Sequence, residues 1–412
     1  MRKLTIVFFD AGGGHRNAAE AIKNQLETQA RRWDIRLLNL QEHLDALDVV
    51  RRATGIRIQD GYNLILRKGW TRPTPQLLVM MRGLIRLYHA RVVASLKKHW
   101  QQHPSDMVLS VIPLFNRAMA ESIREAMPEA AFATLLTDLA DCPPHFWIEQ
   151  ESEFLICGTE CAEKQALGMG HARHRVFRTS GMVLKPKFYE RRASNVTVER
   201  IHLGLDADMP TGIVLFGGHG SSAMLDIAEH LNKRAQNKSA RPVQLIMICG
   251  HNQKLRDELS SMSKQIPMLI EGFTSDVAHY MSLADFFIGK PGPGSISEAL
   301  QFHLPVIVER NARTMPQERY NTDWVTEKKL GIVLSNFSDI AEGVDRLLAP
   351  ETFLALRANA KAQKNRALFE LPAILDEVLE RHIPYSVPVP PEFTSPRPVG
   401  QNPAWSISTL RS

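Results

Sequence analysis
The sequence predicts an α/β protein of two doubly wound domains facing each other across a cleft. Three observations carry this. Short apolar runs alternate with longer amphipathic stretches, the pattern of parallel strands joined by helical crossovers. The pattern breaks over residues 183–210 and then restarts. Each half opens on the same unit of strand, glycine turn and helix. The length of 412 residues agrees, since at roughly 100–200 residues per domain two domains fit best.

In the first half LTIVFFD (4–10) reads as a strand, followed by a glycine turn and a helix over 15–31. Strands follow at 35–40, 107–112, 131–138, 153–158 and 175–181, with a helix at 116–127. In the second half strands are expected at 211–218, 243–250, 267–272, 285–290, 305–309 and 331–334. Helices are expected between them at 221–236, 252–263, 275–282 and 295–301. The resulting organisation is a first domain over 1–185, a second over 186–350, and a helical segment over 351–383 packing along the domains. Seven of the last 29 residues are proline, so 384–412 reads as a disordered or extended tail.

No apolar run approaches the roughly 18 residues that span a bilayer, which excludes a transmembrane helix. The N-terminus reads as the first strand and not as a signal peptide, because Asp10 and glycines follow its apolar run at once. Four cysteines suit a reducing compartment, and the Cys157–Cys161 spacing lacks the second pair a zinc site needs. The formal charge is +6, but residues 51–100 hold eleven Lys/Arg against one acid, Asp60. A local excess of +10 predicts a partner of negative charge at this insertion, residues 55–98. Within it, 77–93 suits a helix with Arg82, Arg86 and His89 beside Leu77, Met81, Leu84 and Leu87. That is the composition of a helix lying in a membrane interface. A core-packed helix with solvated arginines fits the same spacing, and the local charge favours the membrane.

Three glycine-rich turns follow strands: 11–15, 216–220 and 290–295. Glycine lets backbone N–H groups approach a ligand, and the helix beyond supplies free donors and a positive dipole end. Such turns bind phosphate, although none is a Walker loop. His15 opens a helix at the carboxyl end of strand one. The dipole there favours the neutral imidazole, which is able to accept a proton. His219 follows a glycine pair and suits ligand contact. Asp138, in Thr137-Asp138-Leu139-Ala140-Asp141, could orient His15 or meet an acceptor. No ligand set is in place around it for a metal, and no cofactor is expected. Glu298, on the first turn of the helix after Gly294, suits the two hydroxyls of a ribose. Gln317 and Glu318, in a loop after PVIVE, suit the hydroxyls of a sugar.

These motifs resemble a family. GGGH at 12–15, TDLAD at 137–141, FGGHG at 216–220, KPGPGSISEAL at 290–300 and PQERYN at 316–321 resemble, in this order, the GT-B glycosyltransferases that glycosylate lipids. The likeness is to monogalactosyldiacylglycerol synthases and processive diacylglycerol glucosyltransferases, and it covers residues 1–350. It implies two Rossmann-like domains, a UDP-sugar donor held by the second and a lipid acceptor reached by the first. His15 then matches the general base, with Asp138 beside it. Gly14, Gly218 and His219 match the loops near the donor, and Phe273 the position by the uracil. Gly292, Pro293, Gly294 and Ser295 match the diphosphate turn, Glu298 the ribose ligand, and Gln317 and Glu318 the sugar-hydroxyl pair. After Asp141 the galactolipid synthases continue Cys-His-Pro-Thr-Trp, where this chain has Cys142-Pro143-Pro144-His145-Phe146-Trp147. That departure bears on the acceptor.

The reading is an inverting hexosyl or N-acetylhexosaminyl transferase. It is cytoplasmic and peripheral on the inner face of an anionic membrane, which Arg82 and Arg86 touch. Two alternatives share the architecture: a non-hydrolysing UDP-sugar 2-epimerase, and a non-enzymatic binder of UDP-sugar or anionic lipid. A basic hydrophobic insertion has no use in the first, and the complete donor set speaks against the second. No nucleic-acid recognition motif is present.

Overall fold
The computed structural model describes residues 1–10, 13–29, 33–44, 74–190 and 195–385. The first part of the basic insertion, residues 55–73, and the tail from 386 lie outside the described residues. In the first half the strands are β1 (Arg2–Phe8), β2 (Trp33–Asn39), β3 (Met107–Ser110), β4 (Ala131–Leu135), β5 (Phe154–Cys157) and β6 (Val176–Arg178). The helices are α1 (Gly14–Thr28), α2 (Leu40–Leu44), α3 (Thr74–Gln102), α4 (Asn116–Ala126) and α5 (Glu160–Gly168). In the second half α6 (Val196–His202) precedes β7 (Thr211–Leu215). There follow α7 (Ala223–Arg234), β8 (Gln244–Ile248), α8 (Gln253–Ser261), β9 (Met268–Glu271), α9 (Val277–Ser282) and β10 (Phe286–Gly289). Then come α10 (Pro293–Gln301), β11 (Val306–Glu309), α11 (Pro316–Glu327), β12 (Gly331–Leu334), α12 (Ile340–Leu348), α13 (Pro350–Ala362) and α14 (Ala367–Arg381).

All twelve expected strands form, in two parallel six-stranded sheets ordered β2-β1-β3-β4-β5-β6 and β12-β11-β10-β7-β8-β9. The inner strands β3, β4, β5, β7, β8 and β10 are buried along their length, as parallel strands covered by helices on both faces are. In the first sheet Ile6 pairs with Leu37 on one side and Leu109 on the other. In the second, Val214 sits between Met247 and Ile288. Helices α2, α5, α6, α11 and α12 have no counterpart among the elements expected from the sequence. The segment 316–327 is helical and not the loop expected, because Pro316 occupies the first helical position, where its missing N–H costs nothing.

The carboxyl ends of all strands in each sheet point the same way, so the loops that follow them share one edge. Order reverses between β1 and β3 in the first sheet and between β7 and β10 in the second. Those reversals open the crevices in which doubly wound sheets bind ligands.

Two chain crossings join the halves side by side, near 180–185 and 363–366. Asn365 Nδ2 donates to Met182 O at 2.8 Å, and Arg366 N to Ser180 Oγ at 2.7 Å. Before the second crossing, α13 buries Leu356 and Ala360 on the second domain. After it, α14 buries Leu371, Leu375 and Val378 on the first sheet. Tyr385, expected in the tail, is tied down: its N donates to Pro128 O at 3.0 Å and its hydroxyl to Glu153 Oε2 at 3.1 Å.

The helix expected over 77–93 is longer, α3. Its second half is core, burying Val92, Leu96 and Trp100. His89 is not on a membrane-facing stripe, because its Nε2 pairs with Glu121 Oε2 of α4 at 2.5 Å. Arg86 is exposed and Leu87 is 76% exposed. The side chain of Arg82 lies outside the described residues. Among the described residues no helix is long and apolar enough to cross a membrane.

Candidate active site
Gly13 adopts a left-handed conformation (φ 80°) and turns the chain from β1 into α1 without a side-chain cap. The turn brings Gly14, exposed, and His15, half-buried, to the crevice between β1 and β3. His15 Nδ1 lies 3.0 Å from Thr137 Oγ1, which follows β4. Its ring stands 5.9 Å from that of Trp147. Burial pushes the imidazole down to about 4, opposed by a hydrogen bond to the Val111 backbone. The neutral state expected from the helix dipole therefore arises chiefly from desolvation.

Thr137, not Asp138, is the partner of His15. The chain bends after Thr137, and Asp138 turns toward Trp147, whose Nε1 donates to its Oδ2 at 2.8 Å. Burial pushes the Asp138 carboxyl up to about 7. The Trp147 hydrogen bond opposes this, the Glu318 carboxylate adds to it and Lys290 relieves it. Asp138 thus feels two charges from the other domain. Asp141 serves the backbone. It accepts from the N–H groups of His145, Phe146 and Trp147 at 2.6–2.9 Å and so folds the loop that positions Trp147. Among the described residues no group of His, Cys, Asp and Glu has the geometry to hold a metal.

On the facing edge the loop after β7 holds Gly217, Gly218, His219 and Gly220, with Gly218 and His219 exposed. His251 N donates to Gly218 O at 2.8 Å. The turn at Gly250 (φ +60°) admits only glycine, since a Cβ there would lie 2.2 Å from Gly218 O. His251 stacks on Phe273 at 4.0 Å between centroids, and Phe273 is 62% exposed. The His219 ring lies 5.9 Å from His251. A flat exposed aromatic face therefore lies beside the glycine loop. Sequence reasoning misses His251, whose only local signal is the glycine before it.

The loop after β10 leads through Gly292 and Pro293 into α10, which no side chain caps. A Cβ on Gly294 would meet nothing within 4 Å, so the first turn is open. Ser295 is half-buried on the same turn. Because α10 starts at Pro293, Glu298 sits on its second turn and not its first. Burial pushes Glu298 up to about 7, with Lys185 opposing. Gln317 and Glu318 open α11, and Glu318 is 6% exposed with Lys290 Nζ 3.0 Å from its Oε1. Cys142 Sγ meets Pro316 O at 3.3 Å, so the loop after β4 and the start of α11 touch across the cleft. A separate cavity of about 560 Å³ lies toward the crossings, among Thr159, Lys164, Ser180, Ser297, Tyr320 and Gln363, and holds none of the predicted site residues.

Arranged across the cleft are a neutral imidazole, an uncapped helix N-terminus, an exposed aromatic face and a buried carboxylate tied to an ammonium. This set can accept a proton on one side and hold an anion on the other. Residues 212–371 match the glycosyltransferase family 28 C-terminal domain. The chain is 26% identical over 402 residues to monogalactosyldiacylglycerol synthase 2, chloroplastic, of Arabidopsis thaliana, covering 93% of this chain and 82% of that protein. It is 27% identical to monogalactosyldiacylglycerol synthase, chloroplastic, of Spinacia oleracea, covering 93% of this chain and 73% of that one. The fold matches MurG of Acinetobacter baumannii with a TM-score of 0.59 at 12% identity, over 92% of this chain and 100% of that one. It also matches the UDP-GlcNAc 2-epimerase of Neisseria meningitidis bound to UDP-GlcNAc, with a TM-score of 0.55 at 14% identity, over 91% and 100%.

Proposed function
We propose that this chain, a glycosyltransferase of the GT-B type homologous to galactolipid synthases, moves a hexose or N-acetylhexosamine from a UDP-sugar to a membrane lipid such as diacylglycerol. The observation that carries the reading is the pairing of a neutral His15 on one edge of the cleft with the uncapped N-terminus of α10 on the other.

In this reading His15 takes the proton of the acceptor hydroxyl, whose oxygen attacks the anomeric carbon opposite the leaving group. The C–O bond to the diphosphate breaks as the new one forms, and the configuration inverts. Charge gathering on the departing diphosphate is stabilised by N–H groups of Gly294 and Ser295 and by the Gly218–Gly220 loop, which are fixed before the reaction starts. Gly292 and Pro293 shape that turn. Phe273, backed by His251, packs by the uracil near His219. Glu298 takes the ribose hydroxyls, and Gln317 and Glu318 those of the sugar. Thr137 holds the ring of His15, next to Gly14. Asp138 meets the acceptor or the sugar from the first domain. The exposed Arg86 and Leu87, with Arg82 and the rest of the basic insertion, dock the protein peripherally on the inner, anionic face of a membrane.

The test is mass spectrometry of lipids after incubating the purified protein with UDP-glucose, UDP-galactose and UDP-N-acetylglucosamine on anionic liposomes containing diacylglycerol. A new glycosylated diacylglycerol establishes the reaction and names the donor. An epimerised free UDP-sugar with no lipid product would overturn it in favour of an epimerase. Binding of UDP-sugar without any conversion would leave a sensor.

A further inference from the structure
Lys290 follows β10 and opens the glycine turn, yet no role follows for it from the sequence. Its Nζ lies 3.0 Å from Glu318 Oε1, on a carboxylate that is buried, while the lysine stem itself is half-exposed. The side chain folds back over the turn: the position a Cβ would take on Gly292 is 3.4 Å from Lys290 Cε, 3.9 Å from its Nζ and 3.7 Å from Glu318 Oε1. The ammonium and the carboxylate thus both lie within van der Waals reach of the turn at Gly292. Asp138, from the first domain, carries the electrostatic signature of both groups. Glu318 thus holds the cation directly at the mouth of the anion-binding turn, and Asp138 of the first domain lies within the field of both.

We propose that Lys290 is a positioning residue for the donor sugar: it fixes Glu318 through Oε1 so that Oε2 accepts the sugar hydroxyls, and its charge lets Asp138 and Glu318 face the same sugar as the domains close. This deepens the donor reading above and rests on it. The physical need is plain. Two carboxylates approaching across a cleft repel, and a buried carboxylate without a fixed cation or hydrogen-bond donor turns to find one. A lysine paired on one oxygen holds the other in register. The charged groups around Asp138 are Glu318, Lys290 and Asp141, and Trp147 Nε1 donates to it.

The experiment measures the binding of UDP, UDP-glucose and UDP-galactose to the full chain by calorimetry, in the wild type, Lys290→Met, Lys290→Arg, Glu318→Gln and the Lys290→Met/Glu318→Gln double variant. UDP affinity should stay within about threefold throughout. The tightening that the preferred sugar adds should fall at least tenfold in Lys290→Met and in Glu318→Gln, with no further loss in the double variant, since the two act as one unit. Lys290→Arg should recover part of it, which separates lost charge from misfolding. An intact sugar contribution in Lys290→Met, or losses that add in the double variant, overturns this assignment alone. A wild type that binds no UDP overturns the donor reading, and the assignment with it.

Discussion
His15 is held neutral by where it sits: burial drives its pKa to about 4, so the ring stays uncharged throughout the neutral range. A positioned general base contributes about 10²–10⁴-fold to rate. His15→Ala should therefore lower turnover by about 10³-fold while UDP affinity changes by less than threefold, and unchanged turnover would remove the base assignment. Asp138 is displaced in the opposite direction, to about 7 from the ordinary 3.8. Between those two values the folded chain holds a proton that the unfolded chain has released. The wild type therefore loses stability as pH rises through that window. Asn in this place accepts from Trp147 equally well and never ionises. Asp138→Asn should match the wild type near pH 4 and exceed it at pH 8, at about 2–4 °C in Tm per kcal/mol. A gain that is the same at both pH values would show that desolvation of the charge is not what the site costs. His15 was legible in the sequence because a histidine after a strand and glycines has little choice of place. Its partner was not: Thr137 and Asp138 are neighbours, and only the direction of the chain after β4 decides which of them faces the ring.

The start of α10 owes its use to what it lacks. No side chain caps it, and Gly294 has open space where its Cβ would be. Alanine is a better helix former than glycine by roughly 1 kcal/mol, so Gly294→Ala should leave the melting temperature equal or higher. The added methyl group would stand where the diphosphate must approach, and UDP affinity should drop at least tenfold. Undiminished UDP binding would move the anion site elsewhere. Glu298 and Glu318 show how element boundaries limit a reading. Pro293 begins α10 two residues earlier than expected, which puts Glu298 on a second turn, and Pro316 begins a helix where a loop was expected over 316–321. Proline reads locally as a break, whereas at the first helical position it is a start. In α3 the spacing of apolar residues could not separate core from surface. Packing against α4 claims His89, Val92 and Leu96, while Arg86 and Leu87 face out.

At the scale of the molecule the chain crosses between domains twice, and α14 returns to the first domain. Helix α14 buries Leu371, Leu375 and Val378 on the first sheet. Each such side chain contributes about 1.5–3 kcal/mol, so together they rival the roughly 5–15 kcal/mol by which a folded domain is stable. A chain ending at Asn365 should lose the cooperative unfolding transition of the first domain while that of the second persists. Two intact transitions would show that α14 is dispensable. Both crossings lie side by side, tied by Asn365 to Met182 and by Arg366 to Ser180.

The sequence alone determined the twelve strands, the two doubly wound halves and the placement of the glycine turns and His15. Those features follow from local apolar runs and from the need of a parallel sheet to turn at each strand end. The tertiary structure alone decided which groups meet: His15 with Thr137, Phe273 with His251, Lys290 with Glu318, and Cys142 with Pro316 across the cleft. These contacts join residues up to 174 positions apart, and their distance along the chain is set by how two sheets pack, which no local pattern encodes.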